Sequence, residues 1–245
     1  MAAKSGVTAR RAKKPETPRD SYHHGDLRAA LIAAAEEELA AKGIDGFTLR
    51  ACARRAGVSH AAPAHHFKDV HALLTEVAAN GFERLAEITE RYGGNAPNGT
   101  IEHIVEAARS YLTFASQYPH HFRLIFRSGA FDPANERFAT AAAAAFRVPV
   151  EAIGSYYGSA DPMADPELMP RVIGLWSIVH GFSDLMLLGQ LSDRSGASRR
   201  VLIDELMPEI IRQLFGRSSA RGRKGKAGQI PPSVVVAAQL KTPPG

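Results

Sequence analysis

The segment Phe47–Leu73, FTLRACARRAGVSHAAPAHHFKDVHAL, constrains this chain more than any other part of it. Leu49, Ala53 and Ala56 recur at helical spacing, with Arg50, Arg54 and Arg55 on the other faces. Gly57 supplies a turn residue, Val58 an apolar plug, and Ser59 an N-cap for a second short helix. This is helix-turn-helix anatomy, in which the second helix enters the major groove of DNA. Gly-Val-Ser alone is a weak signal; the whole constellation is a strong one.

The rest of the chain reads as helices. Asp26 is expected to cap a first helix, Leu27 to Lys42, closed by Gly43. Two short helices follow, near 49–56 and 60–67, and Asp69 caps a longer fourth one to about Tyr92. Gly93–Gly99 is a loop, and Thr100 caps a helix to Gln117. Tyr118-Pro119 breaks that helix and starts another. Asn135 to Tyr157 is expected to be interrupted at Pro149, and Leu168–Leu191 and Ser198–Phe215 are the last two helices. No long stretch alternates with period two, so the class is all-α. Residues 1–22 and 217–245 lack apolar periodicity and are rich in Lys, Arg, Gly or Pro; both are expected to be disordered.

Charge separates the ends from the middle. Residues 1–70 hold 12 Lys/Arg against 8 Asp/Glu, residues 71–216 hold 12 against 17, and residues 217–245 hold 6 and no acid. A basic head and tail around an acidic body suit a head that meets phosphate; flexible basic arms also bind DNA nonspecifically. No apolar run nears the ~20 residues needed to span a bilayer, and no apolar signal core follows the basic start. The single cysteine, Cys52, excludes an internal disulfide and a cysteine metal cage. It reads as a packed small residue rather than a redox sensor. A reduced, cytoplasmic setting without membrane insertion is expected.

The motif AxRAGVSxxxxxxHF, with Gly43, Phe47-Thr48 and Leu73-Leu74 around it, resembles the tetracycline-repressor-like (TetR/AcrR) regulators. Tyr22-His23-His24-Gly25-Asp26-Leu27-Arg28 is similar to a start found in one branch of that family. Trp176-Ser177-Ile178-Val179-His180-Gly181 resembles the Trp-His-Gly signature of the same branch's C-terminal domain. With Tyr118-Pro119 and Arg123–Phe126, the resemblance covers roughly residues 21–215. It implies a helix-turn-helix DNA-binding domain at 23–84, with its motif at about 48–67. It further implies a ligand-binding and dimerisation domain at 85–216.

Within the head, contacts divide into phosphate-positioning and base-reading. Thr48 caps the second helix, whose amides and dipole also make a phosphate seat. Arg50 and Lys68 read as backbone clamps, with a solvated face as the plainer alternative. Ser59, His60, Ala61 and Ala62 occupy the turn that approaches base edges. His60 can hydrogen-bond guanine, and the alanines either touch a thymine methyl or are small because the groove is close. His65 and His66 point to phosphates, a role that the resemblance implies for His66; Phe67 is core. The family commonly has tyrosine where this chain has Ala64 and lysine where it has Val70, which implies weaker backbone affinity here. Pro63 removes an amide donor, tolerable only in a first turn. His60, His65, His66 and His71 do not share a helical face, so no metal site and no cofactor are expected.

In the body, Tyr111, Phe114, Phe122, Phe126, Phe146, Tyr156 and Tyr157 suit a pocket for a small apolar or aromatic ligand, and equally a dry core. Trp176, His180 and Asp184 lie one turn apart and can line or gate such a pocket. The plainer reading, preferred for Trp176 and Gly181, makes them a core anchor and a close-packing point; His180 stands evenly between the two. No activated Ser or Cys accompanies them, so catalysis is not expected. The apolar stripes of the last two helices, including Val179, Phe182, Met186, Leu202, Leu206, Ile210 and Leu214, exceed what one small body must bury. They suit a four-helix interface between two copies or, more plainly, intrachain core. A dimer is wanted independently, because one recognition helix covers only a half-site.

The expectation is therefore a homodimeric repressor that binds a palindromic double-stranded operator and is released by a small molecule. Two alternatives remain: a small-molecule binder with weakened operator affinity, and a histidine-based metal enzyme.

Overall fold

The structure, a computed structural model, describes residues 24–126, 131, 132 and 134–216. The expected basic arm and tail lie outside these residues, as does the Tyr22-His23 start of the N-terminal motif. Among the described residues there is no strand.

The first helix, α1 (His24–Lys42), starts before Asp26, so Asp26 is inside the helix rather than its cap. Gly43 stops it at φ +67°, where a side chain would be strained. Helix α2 (Leu49–Arg55) begins where the Thr48 hydroxyl accepts the Ala51 N–H at 3.2 Å. Gly57, at φ +70°, then turns the chain. The expected helix over 60–67 is instead a single 3-10 turn, Ala62–His65. Ser59 does not cap it with its side chain; its backbone carbonyl accepts the Ala62 N–H at 3.0 Å. Pro63 accounts for the shortening, because its ring disfavours α geometry at Ala62 and it has no N–H to give.

Helix α3 (Val70–Gly93) starts at Asp69, whose carboxylate accepts the Ala72 N–H at 2.9 Å. Its 24 residues extend about 36 Å. The boundary expected at residue 84 therefore falls inside one continuous helix. Beyond it come α4 (Ile101–Gln117), α5 (Pro119–Ile125), α6 (Glu136–Tyr157), α7 (Met169–Leu187) and α8 (Gln190–Ser195). A short α9 (Arg199–Val201), a π segment (Leu202–Leu206) and α10 (Met207–Phe215) close the fold.

Helix α4 is the centre. It packs on α3, α5, α6, α7 and α10 and buries Ile104, Val105, Ala108, Leu112, Phe114 and Ala115. Thr100 caps it through the His103 N–H. Helix α6 runs through Pro149 without the expected interruption. Only its C-terminal part, Ala152–Gly154, is buried, so the alanine-rich half lies over the body without sealing it. The π segment precedes Pro208, whose ring would press on the carbonyl of Asp204 in a regular helix. The extra residue turns Leu202 and Ile203 inward, in line with Met207, Ile211 and Phe215.

Two of the expected interface stripes split accordingly. Val179 and Met186 join Val172, Leu175 and Ser183 on the inner face of α7, and Leu202 is fully buried. These three are intrachain core, not interface. Phe182 and Ile210 are half-buried, while Leu206 and Leu214 stay exposed at 38% and 55%. Gly181 is exposed with open space where a Cβ would stand, so it is no close-packing point within the chain.

Candidate nucleic-acid interface and ligand cavity

The head presents a continuous polar edge. Arg50, Ser59, His60, Ala61, His65 and Lys68 are exposed, Ala62 and His66 half-buried, and Thr48 is exposed while capping α2. Behind this edge Phe47, Cys52, Pro63 and Phe67 are buried. Burial and the nearby Glu38 charge push the Cys52 thiol up to about 11, so it stays protonated and inert near neutral pH. Arg55 is unavailable to DNA, since Glu37 and Glu38 hold its guanidinium at 3.2 and 2.9 Å. Arg54, one residue earlier, is exposed. Ala64 is exposed, and Val70 is half-buried against the core at the first turn of α3. Among the described residues no three His, Cys, Asp or Glu side chains converge on a metal position.

Charged side chains tie the head to the body. Arg28 of α1 lies 5.4 Å over the Phe67 ring and pairs with the buried Glu76 of α3 at 2.8 Å. Glu76 also takes hydrogen bonds from Asn135 and Arg137 at the start of α6. Glu36 of α1 receives Arg84 and Asn80 of α3, each at 2.7 Å, and stands 3.3 Å from the fully buried His121 of α5. Burial alone would raise the Glu36 carboxyl, but its bonds with His121, Asn80 and Arg84 outweigh that and hold it at about 2.

The body encloses a cavity of about 250 Å³ between α3, α4, α6 and α7. Phe82, Leu85 and Thr89 of α3 form one wall. Ala142, Ala145, Phe146 and Pro149 of α6 form another, and Tyr111, Phe126 and Trp176 close it. Among the described residues no charged side chain lines it. Of the expected pocket residues, Tyr111, Phe126, Phe146 and Trp176 are in this lining. Phe114 and Phe122 are not: at 0% and 2% exposure they belong to the dry core. His180 stands behind the wall, with its Nδ1 3.1 Å from the Tyr111 hydroxyl and its ring against Phe122 and Phe126. Trp176 is half-buried lining rather than a buried anchor. The α3 wall was not foreseen, and of the α6 wall only Phe146 was. The signal was the alanine run 141–145, whose small side chains leave the space that aromatic residues elsewhere would fill.

Comparison with known proteins agrees with this architecture. The profile described as "Bacterial regulatory proteins, tetR family" matches residues 31–77, which contain the helix-turn-helix. The profile described as "Tetracyclin repressor-like, C-terminal domain" matches residues 104–209, which contain the Trp176–Gly181 segment. None of the curated proteins matches the chain. Among solved structures, a protein with unknown function from Rhodococcus sp. RHA1 is 30% identical, with a TM-score of 0.64 over 80% of this chain and 98% of that one. A TetR family transcription regulator from Marinobacter aquaeolei VT8 is 17% identical, with a TM-score of 0.53 over 76% and 94%. The multidrug binding protein EbrR, solved with imidazole, is also 17% identical, with a TM-score of 0.53 over 80% and 98%. With a helix-turn-helix head and an all-helical body each matched, over more than half of its length together, the chain belongs to the TetR family of bacterial transcriptional regulators.

Proposed function

We propose that this regulator is a dimeric repressor that leaves its operator when a small apolar or aromatic molecule enters the cavity between α3, α4, α6 and α7. One observation carries the reading. Helix α3 follows directly on the recognition turn at its Asp69-capped start, and farther along it lines the cavity with Phe82, Leu85 and Thr89. A ligand that favours one position of α3 must therefore bias the placement of the head. Thr48, Arg50, His65, His66 and Lys68 hold phosphates, and Ser59, His60, Ala61 and Ala62 approach base edges.

Dimerisation is assigned to the outer faces of α7 and α10. Ile173 and Leu185 of α7 and Leu188 at its C-cap are exposed, on the side that carries Ser177 and Gly181, and Leu206 of the π segment and Leu214 of α10 are exposed apolar residues as well. Small residues allow close helix approach, and two such pairs form a four-helix seam. The partner chemistry is thus duplex DNA, a neutral effector and a second copy, acting in the cytoplasm; no catalytic role is assigned. Of the alternatives, the small-molecule binder with weakened operator affinity rests only on Ala64 and Val70, and the metal enzyme has no cluster of ligands among the described residues.

The test is a footprint on the DNA upstream of the protein's own gene, together with light scattering of the purified chain. The reading requires a protected palindrome, a dimer in solution, and monomer or aggregate for Leu214→Glu, since a charge in a dry interface is costly. Absence of any salt-sensitive protected site would overturn the operator, and a well-folded Leu214→Glu dimer would overturn the interface.

A further inference from the structure

The cavity's polar groups share one property, which depends on where their protons go. The Tyr111 hydroxyl and Nδ1 of His180 lie 3.1 Å apart and share one hydrogen bond. Burial holds the His180 imidazole below its ordinary value, with Asp184 pulling the other way, so the ring is neutral near pH 7. The Thr89 hydroxyl donates to the Leu85 carbonyl at 2.9 Å, and that of Ser110 to the Ala107 carbonyl at 2.8 Å. These two oxygens lie 3.2 Å apart, so even a switched proton stays within the protein. The backbone N–H groups of the helical walls are committed to their helices. On α6 the imbalance is reversed, because Pro149 has no N–H to give the carbonyl of Ala145, and both residues line the cavity.

Among the described residues, the side of the lining formed by α3, α4 and α6 therefore has lone pairs to offer, and its hydroxyl donors are already committed. A carbonyl or ether oxygen placed here loses its hydrogen bonds to water and finds none in return. A hydroxyl or N–H finds Thr89, Ser110 or the Ala145 carbonyl. A carboxylate is worse placed than either, since among the described residues no cation lines the site and its charge would be stranded in an apolar chamber. The volume, about 250 Å³, lies below the ~300–1,000 Å³ typical of drug-sized ligands.

Resting on the reading of this cavity as the effector site, we propose that the effector is a small neutral aromatic or apolar molecule carrying a hydrogen-bond donor, of the phenol, alcohol or N–H class. Carbonyl compounds and carboxylates of the same size are rejected. Selection comes from the acceptors at Thr89, Ser110 and Ala145 rather than from shape.

Trp176 is the sole tryptophan of the chain and lines the cavity, so its emission reports occupancy directly. The experiment titrates the full chain with 4-propylphenol, its methyl ether 4-propylanisole, and propylbenzene, three probes of nearly the same size. The phenol should bind at least about fivefold more tightly than the other two, the range expected for one net hydrogen bond. In the double variant Thr89→Val, Ser110→Ala that preference should shrink towards equality while propylbenzene still binds. Ether binding as tight as phenol binding, or a phenol preference undiminished in the double variant, overturns the proposal. If none of the three alters Trp176 emission up to its solubility limit, the cavity is not a site for this class and the proposal falls. Operator footprinting with no ligand present decides the regulator reading separately, so the two failures are distinguishable.

Discussion

At the scale of single residues, Glu36 ties α1 to α3 and α5 behind the DNA edge. Glu36→Gln removes the charge that Arg84 answers at 2.7 Å and should destabilise the fold by about 1.5–3 kcal/mol, the range for hydrogen bonds to charged groups. The Glu36 carboxyl is depressed from 4.5 to about 2 in the fold. Its contribution is therefore complete above about 4.5 and is lost as pH falls from there towards 2. Thermal melts between pH 6 and 3 should show a steeper acid loss in the wild type than in Glu36→Gln; parallel curves would assign the acid sensitivity to other carboxylates. On the DNA edge, His60 and Arg50 divide the work. His60→Ala should reduce discrimination between operator and random DNA by about 1–3 kcal/mol. Arg50→Ala should weaken both alike and flatten the log–log salt slope by about 0.9. Titration against both DNAs at several salt concentrations separates them, and equal losses for His60→Ala would move it to the phosphate class.

At the scale of elements, capping chemistry was legible in part and packing phase was not: Asp26 lies inside α1, and Ser59 does not cap the turn that follows it with its side chain. Thr48, Asp69, Thr100 and Asn135 each accept a backbone N–H at the start of a helix, as short polar side chains before apolar periodic runs predict. The head's anatomy was equally readable, because Gly57 and its neighbours act through local geometry. The inner and outer faces of α7 and α10 were not. Apolar residues surround α7, so only packing against α4 decides that Met186 is core and Leu185 surface. The π segment before Pro208 then shifts the phase of the last helix by one residue. The pocket was half-read for a related reason: aromatic residues announce apolar surface, whereas a cavity is a lack of side chain, here from the alanines of α6. Pro149 sits at that point and makes a test of the element. Pro149→Ala restores a helical donor to the Ala145 carbonyl, so it should stabilise the fold by roughly 1–3 kcal/mol on helix propensity. The same change removes an acceptor from the cavity wall. Melting temperature should rise while the affinity for 4-propylphenol falls, and a rise in both would mean that the Ala145 carbonyl does not serve the ligand.

At the scale of the whole molecule, the effector and the operator meet through α3, and their coupling must be reciprocal. If a ligand beside Phe82, Leu85 and Thr89 weakens operator binding by some factor, operator must weaken ligand binding by the same factor, because both are legs of one thermodynamic cycle. The expected coupling is about 1–3 kcal/mol, or roughly 5–150-fold. It should run through the ties that fix α3 against α1 and α5, namely Arg28–Glu76, Glu36–Arg84 and the Glu36–His121 contact. With these in place, a displacement of α3 at the cavity is carried to α1 and to the recognition turn between them. With the Glu36 tie cut, α3 can shift without carrying α1, so less of the displacement reaches the head. Glu36→Gln should thus keep its ligand affinity in the absence of DNA, keep its operator affinity to within a few fold, and lose most of the coupling between them. The measurement is a pair of titrations: Trp176 emission against 4-propylphenol with and without saturating operator, and operator binding with and without saturating phenol. In the wild type the two ratios should agree. In Glu36→Gln both should approach one. Unequal ratios in the wild type would mean that the probe does not act through a two-state head, whereas a variant with full coupling would place the transmission in the Glu76–Arg137 contacts between α3 and α6 instead.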